Sequence, residues 1–489
     1  MNYLSIDIGT TCSKCQLFSK DGEILEYISQ EYGLKVIDGE NYLDIDVIWY
    51  NVKNMIADVS KHEISSICIS SLGESFVLLD KQDNILTHPM LYTDSRGAEE
   101  AKNILEVIGE KRAYEICGVM PHSMYSVSKL LYIKKNKPEI FEKVNKLLLV
   151  CDYIGYLLTG QRVIDYGLAS RTGVFDINSL NFSTEMLKAF DIPREIFSEP
   201  KRAGCVVGKI KDELIDELGI KGAPVLVLGS HDQICTSIGA GALLPGEAVD
   251  GMGTVECTTV LFDKNPSNLK MGRQGYPTVP YAIDGLFCTY MLNFSCGSTV
   301  SWFRKKIMHG YHEDYDSFFE YAESKMVDGP TGILTLPYFG GASTPYQDLN
   351  AKGAILNLSA ESSDSDIYKS IMEGTAMEML LNAETVYEYG ITESQAVATG
   401  GGASSEVWMQ IKADIQNIPI RVLRSHEGGL CGCAMLSAVA LGDAVDLFEA
   451  KKKFVRYTKE FKPRESIKEA YVKQYQKYKK LYTTLKGFN

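Results

Sequence analysis

The chain has 489 residues, 45% hydrophobic and 10% aromatic, so it can form folded cores and is neither disordered nor fibrous. Its 63 acidic and 50 basic side chains give a formal net charge of -13, which disfavours binding to nucleic acid and to anionic membranes. The N-terminal residues do not resemble a signal peptide, no run of eighteen apolar residues occurs and the 12 cysteines are scattered. These features predict a cytoplasmic protein with reduced thiols.

The first eighty residues alternate strand and helix patterns. Apolar residues with helical spacing predict a helix at Asp44–Lys61. A polar turn is predicted at Thr10–Lys14, and Asp21-Gly22 is typical of a hairpin. The strands predicted around them are Tyr3–Ile8, Gln16–Ser19, Ile64–Ser71 and Phe76–Asp80. This order is typical of an α/β unit with an antiparallel edge.

A similar order begins near Pro245-Gly246 and predicts a second α/β domain. Its predicted strands are Glu247–Asp250, Thr254–Phe262, Leu286–Leu292 and Ala396–Thr399, the first two joined by Gly251-Met252-Gly253. Its predicted helices are Gly297–Ile307, Asp366–Tyr389, Ser405–Gln416 and a charged helix over the last forty residues. We therefore predict an α/β fold with two domains, residues 1–245 and 246–489.

One stripe of the C-terminal helix carries four tyrosines. They are Tyr471, Tyr475, Tyr478 and Tyr482, spaced i, i+4, i+7 and i+11. Such a stripe is more often packed against its own domain than against a partner. We expect the tyrosines to be buried there.

The first strand leads into the segment Asp7–Lys14. Glycine permits a tight turn, and the hydroxyls of Thr10 and Thr11 can point with backbone amides at phosphate oxygens, with Lys14 adding a cation. Asp7 is placed to hold a hydrated Mg²⁺ ion. The alternative is a hairpin turn with a surface lysine.

Two further glycine-rich segments occur in the second half. Gly253-Thr254 occupies the place equivalent to the first loop, so the two turns could clamp a triphosphate from opposite sides. The Gly400–Ser405 segment links a strand to a helix, where its backbone could approach a flat ligand or phosphate. Each segment could equally be an ordinary tight turn.

Asp232 follows the apolar strand predicted at Pro224–Leu228. Phosphoryl transfer to an alcohol needs a carboxylate that accepts the hydroxyl proton, and Asp232 suits that role. The alternative is a helix N-cap, which Asp also favours.

Several other classes of site are disfavoured. The chain has no P-loop, no G-x-G-x-x-G after the first strand, no H-E-x-x-H and no G-x-S-x-G. The pairs Cys12/Cys15 and Cys431/Cys433 are far apart in sequence, which disfavours zinc. His309 and His312 lie in a polar segment and are expected to be exposed.

Taken in order, these motifs resemble the FGGY family of carbohydrate kinases, over Tyr3 to about Gly442. The segments that carry the resemblance are Asp7–Thr11, Tyr92–Arg96, Ser126–Leu130, Ser230–Gln233, Gly253-Thr254, Leu336–Gly341, Asp366–Glu373, Thr399–Ala403 and Trp408–Asp414. The resemblance implies two RNase H-like domains, of the actin/Hsp70/sugar kinase type, with ATP and a sugar in the cleft between them. It implies ATP-dependent phosphorylation of a sugar hydroxyl.

The resemblance also implies roles for individual residues. Asp232 would be the general base and, with Asp7, would hold Mg²⁺. The residues implied near the nucleotide are Thr10, Thr11, Lys14, Thr254, Gly297, Gly400, Gly401 and Ser405. The residues implied near the sugar are Glu74, Ser75, Asp94, Met124 and Gln233.

Two features depart from the family pattern. Family members commonly have a small residue soon after the second-domain Gly-Thr, where this chain has Val255-Glu256, and an acid there could disfavour the nucleotide. Gly73-Glu74-Ser75 matches no subfamily cleanly. Phe76–Asp80 and Asp94–Arg96 look closer to kinases of deoxyketoses such as rhamnulose, and Asp232-Gln233 looks closer to xylulokinases. The expected substrate is therefore a ketose such as xylulose or a related pentulose or deoxyketose, with a polyol or an aldonate as alternatives.

Two other functions remain open at this point. One is a non-catalytic, sugar-responsive regulator on the same scaffold. The other is an actin- or chaperone-like ATPase whose ligand is a protein. Retention of Asp7 and Asp232 argues against the regulator, because a pure binder needs neither. A homodimer is one assembly compatible with the sequence.

Overall fold

The computed structural model describes residues 1–308, 315–425 and 427–488. His309 and His312 lie outside these residues. The chain forms two compact units. Unit 1 comprises Met1–Leu243, Pro277–Phe287 and Glu427–Val455, and unit 2 comprises Leu244–Tyr276, Cys288–His426 and Arg456–Asn489.

A six-stranded sheet forms the centre of unit 1. In spatial order its strands are Val206–Lys209, Val225–Val227, Ser66–Ser71, Asn2–Ile8, Cys12–Ser19 and Ile24–Glu31. The second, third and fourth strands of this order are parallel, and the others run antiparallel to their neighbours. The short strand pairs and the triplet beside it are Leu34–Ile37 with Glu40–Leu43, Phe76–Leu79 with Ile85–Thr87 and Lys146–Leu149, Val163–Asp165 with Glu199–Lys201, and Phe175–Asp176 with Asn181–Phe182.

Helices cover the sheet of unit 1. They are Ile45–Val59, Ala98–Ile108, Glu110–Cys117, Ser126–Asn136, Pro138–Phe141, Val150–Thr159, Tyr166–Ser170, Thr184–Ala189, Asp212–Leu218, Asp232–Gly239, Gly428–Ala440 and Leu447–Phe454, with a 3₁₀ turn at Arg194–Ile196. Asp44 caps the first helix by accepting from the Val47 amide. Val52 and Ile56 of that helix and Ile6 and Ile69 of the strands belong to one buried core.

Unit 2 repeats the strand order of unit 1. Its strands, in spatial order, are Tyr457–Phe461, Ile420–Leu423, Gln395–Thr399, Glu247–Met252, Glu256–Phe262 and Phe287–Asn293. Again three neighbours are parallel and the strands beside them are antiparallel. The predicted α/β fold class, with two RNase H-like units, is confirmed.

The helices of unit 2 include one of 24 residues. They are Leu269–Arg273, Gly297–Trp302, a π-helical turn at Phe303–Ile307, Tyr315–Ser324, Asp364–Tyr387, Glu406–Gln416, Glu465–Tyr478 and Leu481–Leu485, with 3₁₀ turns at Gly401–Ser404 and Lys486–Phe488. The short strands Leu334–Leu336 and Ala354–Leu356 pair in unit 2, and Val279–Pro280 is a short strand of unit 1. Across the described residues, no helix is both long and apolar enough to cross a bilayer.

Two predictions about the C-terminal part have different outcomes. The four tyrosines of the stripe are buried in unit 2, as expected. The prediction of one continuous helix over the last forty residues is wrong, because Tyr457–Phe461 pairs as a strand with Ile420–Leu423. The helical part that follows is also interrupted after Tyr478. The first change of unit falls between Leu243 and Leu244, next to the domain boundary that we predict, and the predicted domain ranges stay a prediction.

Candidate active site

Asp232 lies at the start of the Asp232–Gly239 helix, after the strand Val225–Val227. Its side chain is 38% exposed, and its Oδ1 accepts a hydrogen bond from the Gln233 amide at 2.6 Å. The N-cap position belongs to His231, so the alternative interpretation of Asp232 as an N-cap is wrong. Desolvation raises the pKa of Asp232 to about 6, against the opposing effects of the Gln233 amide and the Arg171 charge. Such a carboxylate is ionised at neutral pH and can accept a proton.

The Asp7 carboxylate lies at the end of the first strand, within the electrostatic reach of Asp232. Burial, and then the charge of Asp232, raise the pKa of Asp7 to about 7, although Ser70 and Lys14 oppose the shift. Asp7 Oδ1 is buried and has no hydrogen-bond partner within the described part of the chain. A carboxylate oxygen without a hydrogen-bond partner, in a site whose electrostatics include a second carboxylate, suits Mg²⁺. The residues present therefore fit the expected ion.

The turn after Asp7 is shorter than the predicted Thr10–Lys14. The Gly9 amide donates to Cys12 O at 2.9 Å, and the second strand begins at Cys12. Lys14 thus lies within a strand, where its Nζ is 2.9 Å from Glu427 Oε1. Thr10 and Thr11 remain at the turn, with Thr11 exposed. The charge of Lys14 is offset by Glu427.

The predicted sugar residue Glu74 is buried and forms an ion pair with Arg171. Arg171 Nε donates to Glu74 Oε1 at 2.6 Å, and a second guanidinium nitrogen contacts the same oxygen. The guanidinium also lies 5.1 Å from the centre of the Tyr125 ring. A Cβ on Gly73 would lie 3.1 Å from both Arg171 Cγ and His231 Cδ2. The Glu74 loop therefore packs at Gly73 against both Arg171 and His231, the residue before Asp232.

The other predicted sugar residues have local partners. The Ser75 hydroxyl donates to Met90 O at 2.8 Å, and the Asp94 carboxylate accepts from Arg96 Nε at 2.8 Å. Lys129 Nζ donates to Asp94 O at 2.9 Å and to Ser123 O at 2.7 Å, so it ties the Asp94 segment to the residue before Met124.

In unit 2, the structure brings the Gly253-Thr254 turn together with Gly297. The Gly297 amide donates to Gly253 O at 3.0 Å, and the Ser298 amide donates to Thr254 O at 3.1 Å. A Cβ on Gly297 would lie 2.7 Å from Gly253 O, so only glycine fits without displacing the turn. The strands flank Gly253–Val255 rather than the predicted Gly251–Gly253, because the ladder continues to Met252 and Glu256.

The Gly400–Ser405 segment contacts the same hairpin. Gly400 has φ +88°, and a Cβ there would lie 2.7 Å from Met252 O. A Cβ on Gly401 would meet no atom of the described residues within 4 Å. Ser405 is the N-cap of the Glu406–Gln416 helix, and its hydroxyl donates to Glu323 Oε1 at 2.6 Å. A nucleotide contact by Ser405 stays a prediction.

Glu256 could repel a nucleotide only if its carboxylate faced the nucleotide site without a counter-charge. Glu256 is completely buried and forms an ion pair with Lys412. Its charge is thus compensated inside unit 2 rather than presented at the turn. Sequence patterns revealed neither Lys412 nor Arg171, because each has its carboxylate partner about 100 residues or more away in the chain.

Comparison with known proteins finds one family over most of the chain. The profile of the FGGY family of carbohydrate kinases, N-terminal domain, matches residues 2–239, and that of its C-terminal domain matches residues 252–441. A xylulose kinase of Bacillus subtilis (strain 168) is 24% identical over 493 residues, covering 99% of this chain and 97% of the relative. A gluconokinase of the same strain is 26% identical over 496 residues, covering 96% and 93%.

A solved structure shows the same fold. The crystal structure of ligand-bound xylulose kinase from Lactobacillus acidophilus has a TM-score of 0.89 and 25% identity, covering 99% of this chain and 98% of that one. The two family matches together span most of the sequence. The chain therefore belongs to the FGGY family of carbohydrate kinases.

Proposed function

We propose that this carbohydrate kinase transfers the γ-phosphoryl group of ATP to a hydroxyl of a neutral ketose, such as xylulose or a related pentulose or deoxyketose. The observation that carries the proposal is the partly exposed Asp232 carboxylate at a helix start, in the same unit as Asp7, whose buried Oδ1 has no hydrogen-bond partner among the described residues. Asp232 accepts the proton of the attacking hydroxyl.

The proposed phosphate contacts are the ones that the family resemblance implies. Thr10, Thr11 and Lys14 of unit 1, and Thr254 of unit 2, supply hydroxyl, amide and ammonium groups. The backbone of Gly297, Gly400 and Gly401 is assigned to the nucleotide. Asp7 and Asp232 would hold Mg²⁺, which when bound neutralises charge on the phosphoryl oxygens.

The charges at the predicted sugar site support a neutral substrate. Arg171 is already paired with Glu74, while Asp232 adds a negative charge. Burial, with a further contribution from Arg171, lowers the pKa of His231 to about 3, so His231 is neutral. An aldonate carboxylate would be repelled by Asp232 and would find Arg171 already paired, although Lys129, which donates to Asp94 O and Ser123 O, is a cation close to the predicted sugar residues. A ketose meets donors and acceptors without that cost.

The relatives support the same class without deciding it. Xylulose kinases are among them, and so is a gluconokinase. The gluconokinase relative is the reason to test aldonates beside ketoses.

The test is the release of ADP from Mg-ATP across a panel of ketoses, polyols and aldonates. We expect a strong response to one ketose and weak responses to aldonates, including gluconate. A dominant response to an aldonate would contradict the charge argument. A flat panel with protein that binds ATP would contradict the proposed reaction and favour the regulator.

A further inference from the structure

A buried ion cluster lies directly beneath the Gly253-Thr254 turn. Lys412 is completely buried on the Glu406–Gln416 helix. Its Nζ lies 2.6 Å from Asp250 Oδ2 and forms a second ion pair with Glu256 Oε1. Both carboxylate side chains are at most 2% exposed. We refer to Asp250, Glu256 and Lys412 as the hairpin cluster.

The hairpin cluster connects three segments of unit 2. Asp250 lies in the strand before the turn, and Glu256 begins the strand after it. Lys412 lies on the helix that follows the Gly400–Gly402 loop. One ammonium group therefore links both strands of the hairpin to the Glu406–Gln416 helix. That helix follows the Gly400–Ser405 segment, the other segment predicted near the nucleotide.

The cluster contains two carboxylates and one ammonium group, and burial raises the pKa of Glu256. Burial lowers the pKa of Lys412, but Asp250 and Glu256 raise it more, so the net shift is upward and the ammonium stays charged. The Thr258 hydroxyl also donates to Asp250 Oδ1 at 3.1 Å. Removing the lysine would leave two buried carboxylates without a cation. A buried ion cluster is seldom more stabilising than apolar packing of the same volume. Its distinctive property is directional geometry rather than stability.

We propose that Lys412 is a positioning residue that fixes the Gly253-Thr254 turn for the phosphates of the nucleotide. The inference rests on the proposed role of Thr254 as a phosphate contact. The turn has only three residues between its strands, so a shift of either arm moves Thr254. Hydrogen bonds from the Gly297 and Ser298 amides fix the turn itself, and Lys412 fixes the strand residues on either side of it.

The test compares Lys412→Met with Lys369→Met. Lys369 is a second buried lysine of unit 2, but its Nζ donates to Val327 O at 2.6 Å and has no contact with the hairpin in the described structure. Two readouts are measured: ADP binding by calorimetry without sugar, and the KM values for MgATP and for sugar. For Lys412→Met we expect a rise of about tenfold or more in the ADP dissociation constant and in KM for MgATP, with KM for sugar nearly unchanged. For Lys369→Met we expect both nucleotide values within about twofold of the parent.

A milder variant keeps the test decisive if Lys412→Met does not fold. Glu256→Gln removes one charge but leaves the ion pair between Lys412 and Asp250, and we expect about a threefold rise in the ADP dissociation constant. Unchanged ADP binding in Glu256→Gln, or equal effects of the two lysine variants, would overturn the proposal. Failure of the parent to phosphorylate any sugar would instead overturn the proposed function, and the ADP titrations would still decide the role of Lys412.

Discussion

Glu74 and Arg171 illustrate how one buried pair can set the charge that a substrate meets. Glu74→Gln removes the carboxylate and leaves the Arg171 guanidinium without its counter-charge. We expect the ratio of kcat/KM for gluconate to kcat/KM for the best ketose to rise about tenfold or more, because the released cation attracts a carboxylate. The measurement is ADP release with each sugar. A fall of both activities with no change in their ratio would contradict the neutral-site account.

Replacing Gly297 tests the position of the Gly253-Thr254 turn of unit 2. Gly297→Ala places a methyl group 2.7 Å from Gly253 O, closer than carbon and oxygen can approach. We expect KM for MgATP to rise about tenfold or more with little change in KM for sugar. Gly487→Ala, where a Cβ meets no described atom within 4 Å, is the matched control. Equal nucleotide affinities in the two variants would refute this placement of the turn.

Asp152 of unit 1 provides a pH-dependent prediction. Its Oδ2 accepts from the Ser198 hydroxyl, and its Oδ1 has no hydrogen-bond partner among the described residues. Burial raises the pKa of Asp152 to about 8 from an ordinary 3.8, although the Ser198 hydroxyl opposes the shift. Between these two pKa values the folded state binds a proton that the unfolded state has lost. The free energy of unfolding therefore falls as the pH rises from 3.8 to about 8, by at most about 1.4 kcal/mol per pH unit.

Asp152→Asn removes this titration while keeping an oxygen for Ser198. We expect the melting temperature of the variant to exceed that of the parent by a margin that grows from pH 5 to pH 8. Melting curves at each pH provide the measurement. A margin that is constant across the range would show that Asp152 is not protonated on folding.

At the scale of elements, two helices of unit 1 pack closely enough to require glycine. They are Asp232–Gly239 and Gly428–Ala440, and a Cβ on Gly432 would lie 2.0 Å from Cys235 O. Gly432→Ala must push the helix that begins with Asp232 away. We expect a loss of about 1–3 kcal/mol in stability and a fall in kcat.

The control for this change is Gly208→Ala. There the nearest atom to a Cβ is Gln161 Cγ at 3.6 Å, an ordinary contact. We expect its melting temperature and kcat to stay near those of the parent. If Gly432→Ala behaved in the same way, the close helix packing would be wrong.

The sequence predicted which elements exist better than where they end. The apolar spacing of the first long helix placed it within two residues, with Asp44 as its N-cap. The first phosphate-type turn is shorter than predicted, because the second strand already begins at Cys12. The turn of unit 2 keeps three residues but lies two residues later than predicted, because its first strand continues to Met252 and its second begins at Glu256. Local residue preferences carry no information about where such pairing stops.

At the scale of the whole molecule, chain order conceals which segments pack together. Glu427–Val455 belongs to unit 1 although it follows most of unit 2 in sequence. Glu427 is the partner of Lys14, and no spacing pattern links residues so far apart. Asp7, near the end of a strand, and Asp232, at the start of a helix, could be chosen as candidates from their local context, whereas Arg171 and Lys412 became visible only through their contacts.

The central claim is that Asp232 accepts the proton of the sugar hydroxyl and is not needed to bind the nucleotide. Asp232→Asn keeps the size of the side chain and removes its basicity. The decisive measurement is sugar phosphorylation by this variant beside ADP binding to the same preparation. We expect turnover to fall by about 10²-fold or more, with the ADP dissociation constant within about threefold of the parent. Turnover near that of the parent, or loss of ADP binding together with turnover, would contradict this assignment.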